Sequence, residues 1–406
     1  MKILIYMPEN NLKPIGGPSG YLYNLYTGLM ELGTESVDFL PPLGERSSKS
    51  SLKAVYHSLP YKFRSKLMGI YNSIKKYFVS EEKEQQKIYH KYRELLFGKS
   101  MLPADFQAYD GIHFHTTFEL YRERELLKNY KGKIILNSHS PQPNHQEYIV
   151  LFNNHPSRNE VLPILEEADK FAFDRADLIL FPCEDAEEPY FNGWAEYAHI
   201  HQRNRDKYRY LLTGIRQCFP KIPETKIRQK YNIPPDAFLI CYVGRHNEIK
   251  GYNILKNVAE KILPRNEKIY FIIAGKEGPL YGLDNPRWIE AGWTDDPHSI
   301  INAANVFILP NRETYFDLIL LEVMSLGIPV IASNTGGNKY FKKHNCTGIQ
   351  FYDSEQELEN KILYLSKNTH LLDGKANKEF FKAYLNEKTF AQNYIQMMQY
   401  EIHGNN

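Results

Sequence analysis

Two series of short apolar segments, each alternating with stretches of helical periodicity, constrain the fold of this chain more than any other feature. The first series comprises residues 2–7, 36–40, 111–115, 133–139 and 177–182, and the second comprises residues 238–244, 269–275, 288–293, 305–310, 329–333 and 347–352. Strands that alternate with helices indicate a parallel sheet covered by helices on both faces. The sequence therefore predicts an α/β protein with two parallel sheets.

A change of composition marks the boundary between the two predicted domains. Residues 206–235 are polar and contain four prolines, which interrupt regular structure. We place an N-terminal domain at residues 1–205 and a C-terminal domain at residues 206–387. The remaining segment, 388–406, begins with a helical stretch (388–402) that no strand follows. A length of 406 residues agrees with two domains.

The composition excludes several classes of protein. The chain is 42% hydrophobic and 24% charged, as in ordinary soluble proteins, and its formal net charge of +2 gives no general attraction for nucleic acid. Its four cysteines form no CxxC pair, which favours reduced thiols over disulfides or a zinc site. The sequence shows no signal-like N-terminus and no apolar run long enough to span a membrane. We therefore expect a cytoplasmic location.

A glycine-rich loop lies between the first predicted strand and the first helix. Gly16, Gly17 and Gly20 occur in "KPIGGPSGYLYNL". Backbone N–H groups at the start of a helix bind anions, so this loop is a candidate anion site, with a merely flexible loop as the alternative. The GGxxG spacing does not fit the dinucleotide fingerprint, which argues against a two-domain Rossmann oxidoreductase.

Two cations flank the loop after the first strand of the second series. In "GRHNEIKGYNIL", Arg245 offers a planar fork for phosphate oxygens and Lys250 offers a point charge. Open α/β sheets bind ligands beyond the carboxyl ends of their strands. This loop is therefore a candidate diphosphate site, and a pair of solvated surface cations is the simpler alternative.

A carboxylate lies in the middle of the most apolar helical stretch, residues 316–326. This residue is Glu322, and an unpaired charge in a protein interior costs on the order of several kcal/mol. Glu322 must therefore face solvent or bind a partner. A carboxylate there can accept two hydrogen bonds from a vicinal diol such as a ribose, and Ser325 lies on nearly the same helix face.

Together, "GGPSG", "GRHNEIKG" and "ETYFDLILLEVMSLGIPVIASNTGG" resemble the GT-B glycosyltransferases of family 4, which are retaining enzymes that use nucleotide sugars. The resemblance extends over both domains and is more specific in the C-terminal half. It implies a GT-B fold, with two Rossmann-like, doubly wound domains facing a cleft and a C-terminal helix that crosses back to the first domain.

The resemblance also implies donor-binding residues. Gly16 and Gly17 would approach the donor diphosphate, Arg245 and Lys250 would bind it, and Glu322 would hold the ribose hydroxyls. No Asp-x-Asp motif occurs, so cationic groups and helix termini, rather than a metal ion, are expected to neutralise the diphosphate. We therefore expect neither a cofactor nor a required metal.

Residues near the transferred sugar follow the family pattern less closely. His139 in "NSHSPQ" matches the family histidine that lines the sugar site. With Glu322 as the second acid of the Glu-x7-Glu motif, Thr314 stands where the first acid belongs, and Glu313 comes one residue early. Asp317 replaces a common glycine. Either Glu313 reaches the sugar, or Thr314 and Asp317 replace its contacts.

The function implied is transfer of a hexose from a nucleotide sugar, with a UDP-sugar preferred, to a glycan or lipid-linked acceptor. This activity would serve bacterial surface polysaccharide or glycoconjugate synthesis. The alternative is a non-catalytic GT-B partner subunit that binds glycans or stabilises an active enzyme. The presence of Arg245, Lys250 and Glu322 together favours the active enzyme, because a non-catalytic subunit need not keep all three.

Three further segments carry weaker signals. His113 and His115 share one strand face, which permits a metal pair, but a structural role is favoured because no third ligand has suitable spacing. Residues 181–194 either shape an acceptor site or pack against their neighbours. Residues 46–80 contain eight basic residues and no acidic one, so this segment either contacts an anionic membrane at the inner face of the cell or forms a solvated helix pair.

Overall fold

The computed structural model describes residues 1–8, 12–14, 16–40 and 81–404. The described residues divide into two compact units, and the second comprises Gly214–Asn386. The first comprises the described residues up to Thr213 together with those from Glu387 onward. The basic segment 46–80 lies outside the described residues. No described helix combines the length and apolar character needed to cross a membrane.

The first unit contains a six-stranded parallel sheet. Its strands are β1 (Ile3–Tyr6), β2 (Val37–Phe39), β3 (Gly111–Phe114), β4 (Lys133–Asn137), β5 (Leu178–Phe181) and β6 (Tyr208–Tyr210). Their order is β2-β1-β3-β4-β5-β6, and every neighbouring pair is parallel. Five strands occupy predicted segments. The structure differs at β6, because residues 208–210, assigned to the linker from their polarity, pair with β5 and extend this unit beyond residue 205.

The helices of the first unit described here are α1 (Gly17–Glu31), α2 (Glu81–Phe97), α3 (Thr117–Arg122), α4 (Asn144–Ile149), α5 (Arg158–Arg175), α6 (Glu188–Gly193), α7 (Tyr197–Arg203) and, from the chain end, α15 (Glu387–His403). Ile3 and Ile5 face α1 and α15, whereas Tyr6 points to the opposite face and accepts a 3.2 Å hydrogen bond from Arg122. Alternation along β1 therefore places helices on both faces of the sheet.

The last helix packs against the first. Phe390, Tyr394 and Met398 of α15 share one buried cluster with Leu25 of α1. Gly28 permits the close approach, because a Cβ there would lie 2.2 Å from the Glu387 carbonyl oxygen. A side chain at position 28 would push the two helices apart.

The second unit also contains a six-stranded parallel sheet. Its strands are β7 (Phe238–Val243), β8 (Ile269–Ala274), β9 (Trp288–Gly292), β10 (Val306–Leu309), β11 (Val330–Ser333) and β12 (Ile349–Tyr352). The helices described in this unit are α8 (Glu224–Lys230), α9 (Tyr252–Ile262), α10 (Pro297–Asn302), α11 (Leu318–Leu326), α12 (Asn338–Lys343), α13 (Glu355–Lys367) and α14 (Gly374–Phe380). All six strands occupy predicted segments. The inner strands β7, β8, β10 and β11 are buried, mostly apolar runs, whereas the edge strands β9 and β12 are partly buried and include Glu290 and Gln350.

The strand order of the second sheet is β12-β11-β10-β7-β8-β9. The chain leaves β7 towards β8 and later returns to the other side of β7 at β10. Neighbouring strands β7 and β10 therefore form the topological switch point, where the loops beyond the carboxyl ends diverge and leave a crevice. In the first sheet the corresponding point lies between β1 and β3.

Candidate functional site

The switch point of the second sheet brings together the loops 244–251 and 310–317. The Arg312 N–H donates a 2.9 Å hydrogen bond to the Ile249 carbonyl. Gly251, at φ +66°, lies so close to the second loop that a Cβ would stand 1.7 Å from the Pro310 carbonyl oxygen. Glycine is required here both for the left-handed backbone and for the close contact. The two predicted binding loops are therefore held against each other.

An ion pair joins these loops. The Lys250 Nζ donates to both carboxylate oxygens of Asp317, at 2.7 and 2.8 Å. Asn311 also donates to Asp317, and the Asn247 side chain accepts from the Lys250 N–H at 2.9 Å. Asp317, which replaces the glycine of the family pattern, thus lies against the lysine predicted to bind the diphosphate and compensates its charge.

Arg245 has a different environment from Lys250. Its side chain is exposed, and no ion-pair partner is found for it among the described residues. Its backbone is held in place, because the Tyr242 hydroxyl donates a 2.8 Å hydrogen bond to the Arg245 carbonyl. The switch point therefore presents the exposed Arg245 guanidinium on the same loop as the compensated Lys250 ammonium.

Thr314 and Glu313 occupy different environments at the end of the second loop. Thr314 is fully buried, and its hydroxyl has no hydrogen-bond partner in the part of the chain that the structure describes, whereas Glu313 is half-buried. The glycine pair after β11 packs on this loop: at Gly336, with φ +44°, a Cβ would lie 2.0 Å from the Thr314 carbonyl oxygen, and the Gly337 N–H donates to that oxygen at 3.3 Å.

Glu322 has a partner, which answers the question raised by a carboxylate in so apolar a helix. Its Oε2 lies 3.0 Å from the His298 Nε2, and both side chains are about one-quarter exposed, at 26% and 27%. Cys218 completes the group, since ligand atoms of all three residues lie within 4.8 Å of one another. We call these three residues the Cys–His–Glu cluster.

The imidazole of this cluster has a shifted pKa. Burial alone lowers the pKa of His298, but hydrogen bonds to Cys218 and Glu322, with the attraction of both groups, outweigh it and raise the pKa to about 10. A protonated imidazole thus lies against the Glu322 carboxylate. Sequence reasoning missed Cys218 and His298, because neither residue belongs to a recognised motif.

In the first unit, His139 belongs to a cluster of three histidines with His113 and His115. The His115 Nδ1 and His139 Nε2 are 2.8 Å apart, and the His113 Nδ1 lies 3.1 Å from the Tyr394 hydroxyl. Burial lowers the pKa of His113 and of His139 to about 3, and it also lowers that of His115. Three neutral rings result. His139 is therefore a third histidine beside His113 and His115, which the spacing in the sequence did not reveal. Its ring is hydrogen-bonded to that of His115.

The glycine loop begins α1. Gly16 is the residue before the helix, with φ +89°, and Gly17 is its first residue. Apart from their chain neighbours, no atom of the described residues lies within 4 Å of a Cβ built at either position. No acidic residue lies in the first turn of α1 to compete with an anion.

Residues 181–194, for which two roles remained open, contain a buried carboxyl group. The Glu187 side chain accepts hydrogen bonds from Tyr197 at 2.8 Å and from Tyr210 at 2.6 Å. Burial raises the pKa of Glu187 to about 7, although both hydrogen bonds act in the opposite direction. Tyr190 and Trp194 are buried as well, so the described contacts of this segment are largely packing contacts.

Comparison with known proteins finds a family match within the second unit and several sequence relatives. Residues 223–380 match the family described as glycosyl transferases group 1. The O-antigen biosynthesis glycosyltransferase WclY of Escherichia coli is 32% identical over 154 residues, covering 33% of this chain and 42% of that protein. The lipopolysaccharide 1,2-N-acetylglucosaminetransferase of Salmonella typhimurium is 25% identical over 205 residues, covering 45% and 54%. The chain thus spans about half the length of these relatives.

Solved structures match over both units. Sucrose-phosphate synthase of Thermosynechococcus elongatus has a TM-score of 0.63 at 18% identity, and the match covers 99% of each chain. Anabaena HepE in complex with UDP has a TM-score of 0.58 at 15% identity, covering 98% and 100%. With its two six-stranded parallel sheets and flanking helices, the chain has the GT-B fold of these structures.

Proposed function

We propose that this protein is a glycosyltransferase that moves a sugar from a nucleotide-sugar donor to an acceptor in surface glycan synthesis. The observation that carries the proposal is the switch point of the second sheet, which joins Arg245 and Lys250 next to the helix that bears Glu322. The group 1 match of residues 223–380 and the names of the two bacterial relatives support it.

The donor would bind mainly to the second unit. The exposed guanidinium of Arg245 is suited to two phosphate oxygens at once. Lys250 adds a second cation, which the diphosphate would share with Asp317. The Glu322 carboxylate would accept hydrogen bonds from the two ribose hydroxyls in place of part of its contact with His298. A UDP-sugar is our first choice of donor, and this choice is supported by the UDP complex of a protein with the same fold.

The acceptor, a glycan or lipid-linked sugar, would bind to the first unit. We propose retention by front-face attack, in which the acceptor oxygen bonds to the anomeric carbon as the bond to phosphate breaks. The leaving phosphate takes the acceptor proton. Because its lowered pKa keeps His139 neutral near pH 7, that residue would serve as a hydrogen-bonding group for the sugar rather than as a cation. Glu313 is our candidate for a carboxylate beside the sugar.

Catalysis of this kind rests on positioning the two substrates and on stabilising the charge that develops on the diphosphate. The cations at the switch point would supply that stabilisation without a metal ion. A half-buried Glu313 and a buried Thr314 compete for the role of the missing first acid, and the structural difference between them makes the choice testable.

Calorimetric titration with UDP and with uridine tests the donor site. Arg245→Ala is expected to raise the Kd of UDP by about ten- to a hundredfold, the equivalent of one charge-assisted hydrogen bond, and to leave the Kd of uridine nearly unchanged. Glu322→Gln should raise both. Lys268→Ala, which removes an exposed lysine paired with Asp236 in the same unit, is the matched control.

Enzymatic turnover separates the proposed enzyme from a non-catalytic partner subunit. UDP release from a panel of UDP-sugars, with and without acceptor extracts, should exceed the background rate and should fall in Arg245→Ala. Tight UDP binding without release from any donor would favour the partner subunit. Equal loss of UDP and uridine affinity in Arg245→Ala would contradict the diphosphate assignment.

A further inference from the structure

The Cys–His–Glu cluster combines the ligand types of a transition-metal site. Its members come from three separate segments: His298 is the second residue of α10, Glu322 lies in α11, and Cys218 precedes α8. We propose that this cluster binds a divalent ion of the zinc class, and that the ion and the nucleotide exclude each other because both require Glu322. The exclusion, unlike the metal binding, rests on the proposed function.

The donor set selects the metal. Once His298 has released its proton to solvent, one thiolate, one neutral imidazole and one carboxylate suit Zn²⁺ and its neighbours, whereas Mg²⁺ prefers oxygen ligands alone. Zinc bound by three protein ligands keeps a fourth position for water or another ligand. Separations of at most 4.8 Å between the three ligand atoms allow one ion to contact all of them after small rotations of the side chains.

Two buried serines hold the three segments in place. The Ser325 hydroxyl accepts a 3.2 Å hydrogen bond from the Cys218 N–H and donates a 2.7 Å bond to the Glu322 carbonyl. This serine therefore links the cysteine to α11 within one turn of the carboxylate. Both residues that supply anionic ligands are thus anchored through a single fully buried hydroxyl group.

The second serine performs the same task on the other side. The Ser299 hydroxyl accepts hydrogen bonds from the Lys221 N–H at 2.9 Å and the Ile222 N–H at 2.8 Å, and it is fully buried beside His298. The segment carrying Cys218 is therefore attached to α10 as well as to α11. A site whose ligands are fixed in advance loses less freedom on binding an ion.

Accessibility supports the assignment. Cys218 is half-buried, whereas Cys183, Cys241 and Cys346 are buried. About one-quarter of each of the His298 and Glu322 side chains is exposed, so an ion can enter from solvent. If Glu322 also receives the ribose, an ion held by its carboxylate blocks the nucleotide, and zinc-class ions become inhibitors that compete with the donor.

The test is a titration of the metal-free full-length protein with Co²⁺, followed by displacement with Zn²⁺. We expect one equivalent of Co²⁺ to produce a thiolate-to-cobalt charge-transfer band, which Zn²⁺ removes and excess Mg²⁺ does not. Cys218→Ser should abolish the band, and His298→Gln should weaken Co²⁺ binding at least tenfold. His344→Gln, which removes an exposed histidine of the same unit, should change neither. Absence of the band, or its persistence in Cys218→Ser, would overturn the proposal.

The exclusion is measured by repeating the Co²⁺ titration with and without UDP, with a metal buffer that sets the free Co²⁺ concentration at each step. UDP should raise the apparent Kd of Co²⁺, and the effect should be much smaller in Arg245→Ala, which keeps all three metal ligands. An unchanged Co²⁺ affinity in protein that demonstrably binds UDP would overturn the shared use of Glu322. Failure of the proposed function gives a different result, because the metal-free protein would then bind no UDP while the cobalt band still reports the metal site.

Discussion

Substitution of Asp317 tests the proposed diphosphate site at the switch point. The Asp317 carboxylate is already paired with the Lys250 ammonium group, which a bound diphosphate would also contact. Both oxygens contact the Lys250 Nζ, and the two side chains are only 20% and 18% exposed. A phosphate bound to the same ammonium would lie about 5 Å from this carboxylate. With an effective dielectric constant of about 20, the repulsion between two unit charges at that separation is about 3 kcal/mol.

Asp317→Asn removes the negative charge and keeps the shape and one oxygen acceptor. Screening by water reduces the calculated repulsion, so we expect UDP to bind about tenfold more tightly, which corresponds to about 1.4 kcal/mol. The assay is calorimetry with UDP and with uridine at low and high salt. Uridine affinity should not change, and the gain for UDP should shrink as salt screens the charges.

Unchanged or weaker UDP binding by Asp317→Asn would refute this reasoning. That result would mean that the carboxylate holds Lys250 in its binding position and that this positioning outweighs the repulsion. A gain of equal size for uridine would also contradict the argument, since uridine carries no phosphate to be repelled.

Three further predictions concern the first unit and the sugar site. Because the pKa of Glu187 is raised from 4.5 to about 7, the protein loses stability as the pH rises between those values. Glu187→Gln should therefore raise the free energy of unfolding at pH 8 by up to about 3 kcal/mol and have little effect at pH 4. Equal effects at both pH values in denaturant titrations would contradict this prediction. The histidines of the three-histidine cluster have lowered pKa values, so their contribution to stability is present above pH 6.5. Below pH 6.5 the free energy of unfolding should fall by about 1.4 kcal/mol per pH unit for each ring. A free energy of unfolding that does not change from pH 7 to pH 5 would refute this prediction. Glu313→Ala should lower turnover more than Thr314→Ala, and the reverse order in steady-state assays would assign the first-acid role to Thr314.

The basic segment 46–80 remains a separate hypothesis. If it contacts an anionic membrane, the protein should sediment with vesicles containing anionic lipid and detach at high salt, because the Debye length falls to about 3 Å at 1 M. Equal sedimentation with neutral and anionic vesicles would leave the segment as solvated surface.

Local sequence patterns determined most of the secondary structure. Among the described residues, eleven of the twelve strands occupy predicted apolar segments. The inner strands of each sheet are apolar along most of their length because they are buried on both faces. The strand Tyr208–Tyr210 was not predicted from the sequence. It lies at the sheet edge, where polar residues are tolerated, and its polarity assigned it to the linker. Similarly, the loops carrying Arg245 and Lys250 were recognisable because ligand loops follow parallel strands at their carboxyl ends.

Only the tertiary structure decided which partners these residues have. Lys250 and Asp317 are 67 positions apart and meet because β7 and β10 are neighbours in the sheet. Glu322 meets His298 and Cys218 through the packing of α10 and α11 and through two buried serines that no sequence motif marks. Burial of a helix or strand produces a pattern of apolar residues that can be recognised in the sequence. Contacts between distant segments depend on how whole elements pack, and a single sequence contains no comparable pattern for them.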